Sequence, residues 1–267
     1  MSVGIITGSG THALPGFEVA RALTVQTRFG AAEVSGGTLA GADVLHVSRH
    51  GHGHERLSNH VTHRANISAL RELGATAVLA ATVCGAVDPE LELGSLVVFD
   101  DLHFPSNRLP DGSLCTLFSE PGDPERAHWV LHGGPFSPGA RAALLAAAAG
   151  TGHPARDGGT YGHVDGPRFN TPSEIAQLAA CGVVAVSQTA GPEAVLCGEL
   201  ELPYALVGFV TDHANGVVPG DPTSVATLSE LIAASTLILA DVLTAAAAAL
   251  HARQPAPTGT VLRLGAD

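Results

Sequence analysis

His63 to Gly85 reads HRANISALRELGATAVLAATVCG: a helical run, His63–Leu73, leads into an apolar run, Ala77–Thr82, that ends in the polar segment Thr82-Val83-Cys84-Gly85. A short continuous apolar run of this kind is the mark of a buried strand. The pattern recurs on both sides. Further strand-like runs lie at Val3–Thr7, Asp43–Ser48, Leu96–Asp100, Val183–Val186 and Tyr204–Thr211. Helical runs lie at Pro138–Ala149, Ser173–Ala180, Pro192–Glu199 and Ser224–Leu250, with Pro138, Thr171 to Ser173 and Ser224 as start signals. Strands alternating with helices predict an α/β layer architecture. No internal repeat breaks the series. Phe104–Pro135, rich in Gly, Pro, His and Asp, reads as a long excursion of the kind that often serves function.

Composition removes several function classes. The chain has 267 residues, 45% of them hydrophobic, which is enough for one sizeable core. A net charge of −12 argues against a nucleic-acid or anionic-membrane surface, because both require dense positive charge. All 13 basic residues are Arg, which excludes a P-loop lysine, a pyridoxal-phosphate Schiff base and any lysine nucleophile. A bound phosphate must then be held by Arg, His, hydroxyls and backbone N–H groups. Cys84, Cys115, Cys181 and Cys197 show no CxxC spacing and the first residues show no signal-peptide pattern, so a cytoplasmic location is expected. Leu231–Leu250 is apolar but contains Ser235 and Asp241, and reads as a packed helix rather than a membrane span.

Polar segments fall at or just after the strand ends: Gly8-Ser9-Gly10, Arg49-His50-Gly51, Thr82 to Gly85, Gly166-Pro167-Arg168-Phe169, Thr189 to Glu193 and Thr211-Asp212. Open α/β sheets place their ligands there, and together the segments read as an anion pocket beside a base pocket. The glycines let backbone approach a ligand, Ser9 adds a hydroxyl, Arg49 a fixed fork of donors and His50 a donor of adjustable charge. Thr82 and Thr189 complete a ring of hydroxyls. Taken singly, each segment also reads as a turn, a surface pair or a strand-end cap. A rival constellation is His50-x-His52-x-His54, which on a strand would face three imidazoles one way toward a transition metal. Gly51 and Gly53 point instead to a loop, and no metal is expected.

The ordered series of strand-GSG, SRHGHGH, HRANI, ATVCGAVDPELELGSLVV, DGPRFNT, TAGPEAVLCGELELPYA and VTDHANG resembles the trimeric purine nucleoside phosphorylase family, closest to its methylthioadenosine phosphorylase branch. The likeness covers Val3 to Leu250. It implies a single-domain three-layer α/β sandwich, with a central mixed sheet flanked by helices, over residues 1–253, and a C-terminal extension over 254–267. The implied reaction is phosphorolysis of the N-glycosidic bond of a purine nucleoside, with no cofactor and with inorganic phosphate as co-substrate. Ser9, Arg49, His50, Thr82 and Thr189 would hold phosphate, and Asp212 would face the purine N7 as the catalytic acid. Val83, Cys84, Gly85, Phe169, Asn170, Gln188 and Ala214 would line the nucleoside. His128, with His132 as fallback, would reach the 5′ end of the sugar from a neighbouring subunit of a homotrimer or a dimer of trimers.

Departures from the family pattern bear on the substrate. Gln188 stands where relatives carry a Met over the sugar. Ala214 replaces a second Asp of the adenine-selective branch, and Asn170 stands where adenine-type members carry Ser and one 6-oxopurine class carries Glu. Thr62-His63 replaces Asn-Tyr. The resemblance therefore implies a 5′-modified adenosine such as methylthioadenosine first, and a 6-oxopurine nucleoside second. A non-catalytic nucleoside-binding protein and a metal-dependent hydrolase stand as more distant alternatives.

Overall fold

The computed structural model describes residues 1–9, 14–220 and 222–264. Its centre is a mixed sheet formed by β1 (Ser2–Thr7), β2 (Phe17–Thr27), β3 (Gly30–Leu39), β4 (Ala42–Ser48), β5 (Ala75–Ala86), β6 (Leu96–Val98), β7 (Asp101–His103), β9 (Ala155–Asp157), β10 (Thr160–His163), β11 (Val183–Ser187) and β12 (Tyr204–His213). A separate ribbon pairs β8 (Ala127–Val130) with β13 (Thr260–Arg263). The helices are α1 (His63–Glu72), α2 (Pro138–Gly150), α3 (Pro172–Ala180), α4 (Ala190–Glu199) and α5 (Val225–Ala252).

The sheet runs β2-β3-β4-β1-β5-β11-β10-β7, and β12 joins β5 to a side branch of β6 and β9. β5 is the fork. It is parallel to β1 and to β12, then meets β11 antiparallel at its end, where Gly85 faces Val186 and Ala86 faces Ala185. Strands covered on both faces need apolar side chains at every position, which is why β1, β5 and β12 are near-continuous hydrophobic runs. Alternation then divides each run between two cores. Ile6, Val78 and Leu206 join Ile67 and Leu70 of α1 and Leu196 of α4 on one face. Ile5, Leu79 and Val207 join Leu144 of α2 and Leu243 of α5 on the other. The result is a three-layer sandwich.

Helix starts follow the sequence signals. Ser137 accepts from the Ala140 N–H with Pro138 in the first turn, Thr171 and Glu174 form a capping box, and Ser224 accepts from the Thr227 N–H. Each such cap contributes about 1 kcal/mol. α5 is long and apolar enough to cross a membrane by length and composition, but Leu239, Val242, Leu243, Ala246 and Leu250 are buried in the second core.

Three features go beyond the sequence reading. The β2–β3 hairpin was not anticipated, because most of β2 is solvent-exposed and lacks an apolar run. The tail beyond Gln254, expected as an extension, folds back: Ala256 O accepts from Ser137 Oγ, Thr258 O accepts from Trp129 Nε1, and β13 pairs along β8. The Phe104–Pro135 excursion is pinned to the α1 and α4 side, where Arg64 donates to Thr116 O and Leu114 O, Arg28 to Leu117 O, and the Leu117 N–H to Glu199.

Candidate active site

A cavity of about 270 Å³ opens at the C-terminal ends of β1, β4, β5, β11 and β12. The sheet brings together there Ser9, Arg49, His50, Thr82, Val83, Cys84, Gly85, Phe169, Asn170, Gln188, Thr189, Asp212 and Ala214. His128 is not among the lining residues; it is exposed on β8 opposite Leu262, and His132 is exposed as well. Within a single chain neither His reaches the cavity. Gly10 lies outside the described residues, as does the side chain of His52.

Arg49 anchors the anion side. Its backbone N–H donates to Thr7 O at 3.0 Å, which fixes the turn out of β4 against the end of β1. The side chain is buried, 1% exposed, and passes beside Gly8, where a Cβ would stand 2.5 Å from Nη1. Nε and Nη2 donate to Glu193 Oε1 and Oε2 at 2.7 and 2.9 Å, and Nη1 donates to Ala81 O at 2.7 Å. A guanidinium carries five N–H donors, so among the described residues these bonds leave two without a protein acceptor. Burial draws the Arg49 pKa down, but Glu193 draws it up by more, and the group stays charged. Tyr204 donates to Glu193 Oε2 at 2.9 Å, completing a buried chain beneath the pocket.

His50 places its Nδ1 2.8 Å from Arg56 O. A carbonyl only accepts, so Nδ1 carries the proton and the lone pair of the neutral ring is on Nε2. Burial, then the Arg49 charge, pushes its pKa down to about 4. The ring stacks on His54 at 4.2 Å. Thr189 lines the cavity from the N-cap of α4 and makes no capping bond with its hydroxyl, while the first helical N–H, that of Ala190, donates to Tyr161 Oη at 3.3 Å. Thr82 differs from its expected role as a donor to the ligand. Its hydroxyl donates to Val83 O at 2.9 Å and sits 3.0 Å from Ser187 Oγ, so its proton already has an acceptor in the chain.

Asp212 stands on the opposite side, at an irregularity where Val210 pairs with Cys84 and Asp212 with Gly85. Gly85 makes room for the carboxylate: a Cβ there would stand 2.9 Å from Oδ2. Thr211 donates to Oδ1 at 2.9 Å. Burial raises the Asp212 pKa, opposed by the Thr211 hydrogen bond and by His213. The Cys84 thiol is buried and its pKa is pushed up by burial and by Asp212, which suits a small core residue and not a nucleophile.

The base side mixes apolar walls with amides. Phe169 is 60% exposed at the mouth, and Val186, Ile175, Leu228 and Ile232 form apolar surface. Asn170 donates through Nδ2 to Glu174 and accepts at its backbone oxygen from Asn215 Nδ2. Gln188 accepts from Ser58 Oγ at 2.8 Å and donates to Arg168 O at 3.1 Å. Ala214 is buried, with its N–H on Ala86 O. The sequence reading gave no individual role to Glu193, Ser58, Ser187 or Asn215. Glu193 alone had a signal, since a buried Arg requires a carboxylate and Glu193 is one helical turn beyond Thr189. Leu228 and Ile232 share a helix face at i and i+4.

His50, His52 and His54 do not alternate along a strand. β4 ends at Ser48, residues His52–His54 form a 3₁₀ turn, and His50 and His54 stack face to face instead of converging. Among the described residues no group of three or more His, Cys, Asp or Glu side chains is placed to hold an ion.

Comparison with known proteins adds the family context. The sequence pattern of the phosphorylase superfamily matches residues 2–248. The 6-oxopurine nucleoside phosphorylase of Pyrococcus furiosus is 34% identical over 80% of this chain and 80% of its own length. The S-methyl-5'-thioadenosine phosphorylase of Mycobacterium tuberculosis is 38% identical over 82% and 78%. The solved structure of the Schistosoma mansoni methylthioadenosine phosphorylase in complex with adenine superposes with a TM-score of 0.85 at 27% identity, covering 95% of this chain and 92% of that one.

Proposed function

The chain belongs to the phosphorylase superfamily, and we propose that it is a pentosyltransferase that cleaves 5′-methylthioadenosine or a related 5′-modified adenosine with inorganic phosphate. Phosphate sits against Arg49, Ser9 and Thr189, with one of its hydroxyls donating to His50 Nε2, and one of its oxygens attacks the anomeric carbon. The bond to N9 breaks, its electron pair passes to the purine, and Asp212 delivers a proton at N7. Free base and the sugar 1-phosphate result. Positioned phosphate supplies both the nucleophile and the countercharge for the cation-like sugar, and protonation improves the leaving group.

The observation that carries the reading is that Arg49, with donors to spare, and Asp212, with a raised pKa, line one cavity from opposite sides. The same carboxyl, when it carries the proton, favours a 6-amino base. A protonated carboxyl donates to N7 and accepts from the 6-amino group, whereas a 6-oxopurine offers acceptors at both positions. The second reading, a 6-oxopurine nucleoside, is favoured by Ala214, which gives the base no polar partner, and by the Asn170 and Asn215 amides on that side. A panel of nucleosides at equal phosphate tests the choice. Methylthioadenosine should lead, and Asp212→Asn should slow it by about 10²–10⁴-fold while slowing oxopurines less. Inosine or methylthioinosine in the lead, or full activity of Asp212→Asn on every base, overturns the assignment.

The same reading includes a homotrimer or dimer of trimers in which His128 of one chain approaches the 5′ pocket of the next, and a cytoplasmic location, which suits four unpaired cysteines. Light scattering tests the assembly: a fully active monomer contradicts it.

A further inference from the structure

We propose that Gln188 is a positioning residue that couples the phosphate half of the cavity to its nucleoside half, so that each ligand tightens the binding of the other. The proposal rests on the assignment of those two halves above.

Three chain segments cross at this side chain. His50 and Arg56 close a loop through two bonds, His50 Nδ1 with Arg56 O at 2.8 Å and the Arg56 N–H with His50 O at 2.9 Å. That loop runs directly into Ser58, which is buried at the start of a 3₁₀ turn and donates to Gln188 Oε1 at 2.8 Å. The other end of the amide donates to Arg168 O at 3.1 Å, one residue before Phe169. Gly166 crosses beneath: any Cβ there would collide with both Gln188 Oε1 and Ser58 Oγ. On its far side the 166–170 loop is held by Asn215, which donates to Asn170 O at 2.7 Å.

A neutral amide accepts at one end and donates at the other, and here both ends are engaged by protein. A methionine, the residue expected here from the family pattern, would leave the Ser58 hydroxyl and the Arg168 carbonyl without these partners. Gln188 thus acts as a brace and not as a sugar ligand. Phosphate that fixes His50 fixes its loop, Ser58 transfers that constraint to Gln188, and Gln188 holds the backbone that presents Phe169 and Asn170. Coupling of this kind is reciprocal.

The test uses 7-deazaadenosine, a nucleoside without the N7 acceptor, titrated calorimetrically into the intact protein with and without saturating phosphate. Thermal melting accompanies each variant. Wild-type affinity should rise about 5-fold or more when phosphate is present. In Gln188→Met the ratio should fall to one; Ser58→Ala should do the same, Ser58→Thr should restore it, and the double variant should lose nothing further. An unchanged ratio in Gln188→Met overturns the proposal. So does equal weakening with and without phosphate, which marks a direct sugar contact, or additive losses in the double variant. A wild-type protein that binds both ligands without mutual tightening defeats this proposal alone, whereas one that binds neither defeats the functional reading as well.

Discussion

Arg49→Met removes one partner of a buried ion pair whose side chains are 1% and 2% exposed. Among the described residues the Glu193 carboxylate then keeps only the Tyr204 hydroxyl. Breaking such a pair costs about 3–5 kcal/mol, because a charge is left in low dielectric without compensation. At about 2–4 °C per kcal/mol for a chain of this size, melting should fall by roughly 6–20 °C. Phosphate binding suffers separately. Among the described residues two N–H donors remain for a ligand, each worth about 1.5–3 kcal/mol as a charged hydrogen bond, and at about 1.4 kcal/mol per decade their loss weakens phosphate by ~10²-fold or more. The double variant Arg49→Met/Glu193→Gln separates the two effects. With both charges gone it should recover most of the melting temperature and none of the phosphate affinity. Differential scanning fluorimetry and the phosphate KM of the folded variants give both readings. A double variant that regains phosphate binding, or a single variant that melts and binds like wild type, refutes this account of Arg49.

Gly85→Ala should preserve the fold but displace the Asp212 carboxylate, since its Cβ would stand 2.9 Å from Oδ2; kcat should drop by about 10²-fold with phosphate KM little changed, and unchanged turnover would remove Asp212 from the chemistry. Turnover of a 6-amino nucleoside should decline as pH rises through the elevated pKa of Asp212, because the protonated acid is the active form, and this limb should vanish in Asp212→Asn. Stability should fall on acidification. Burial holds His46 and His50 at about 4 and His63 and His163 at about 3, so below their ordinary value near 6.5 the unfolded chain takes up protons that the native one does not. The stabilisation is complete above that value, and it is lost toward pH 4 at up to about 5 kcal/mol per pH unit. Among the described residues His63 and His163 each bury an Nδ1 without a hydrogen-bond partner, so His63→Leu/His163→Leu should cost little at pH 7 and halve the slope seen by urea unfolding; an unaltered slope would contradict this.

The parts of the fold legible in the sequence were those where one physical demand dominates. β1, β5 and β12 are covered on both faces and had to be apolar throughout, and Ser137, Thr171 and Ser224 announce their helices because orphan N–H groups need an acceptor. The β2–β3 hairpin escaped because its outer strand faces solvent. In the cavity, polar residues that end apolar strands were visible because they break the apolar pattern that burial demands: Arg49, Thr82 and Asp212 each follow such a run. Residues that depend on distant segments were not. Ser58 matters only because Gln188 folds against it across 130 positions, and Glu193 only because Arg49 lies beneath α4. The direction of the Thr82 proton is a rotamer choice, which spacing does not encode. His128 belongs to an expectation about two chains, and one chain leaves it on an exposed ribbon.

The central claim is that phosphate, and not water, cleaves the glycosidic bond. Methylthioadenosine incubated with the purified protein, with phosphate either omitted or supplied, and with free base and sugar 1-phosphate quantified together, tests it most directly. The account predicts no base release without phosphate and, with phosphate, one sugar 1-phosphate for every base released. Base released at the same rate in phosphate-free buffer, with free sugar as the second product, would contradict it.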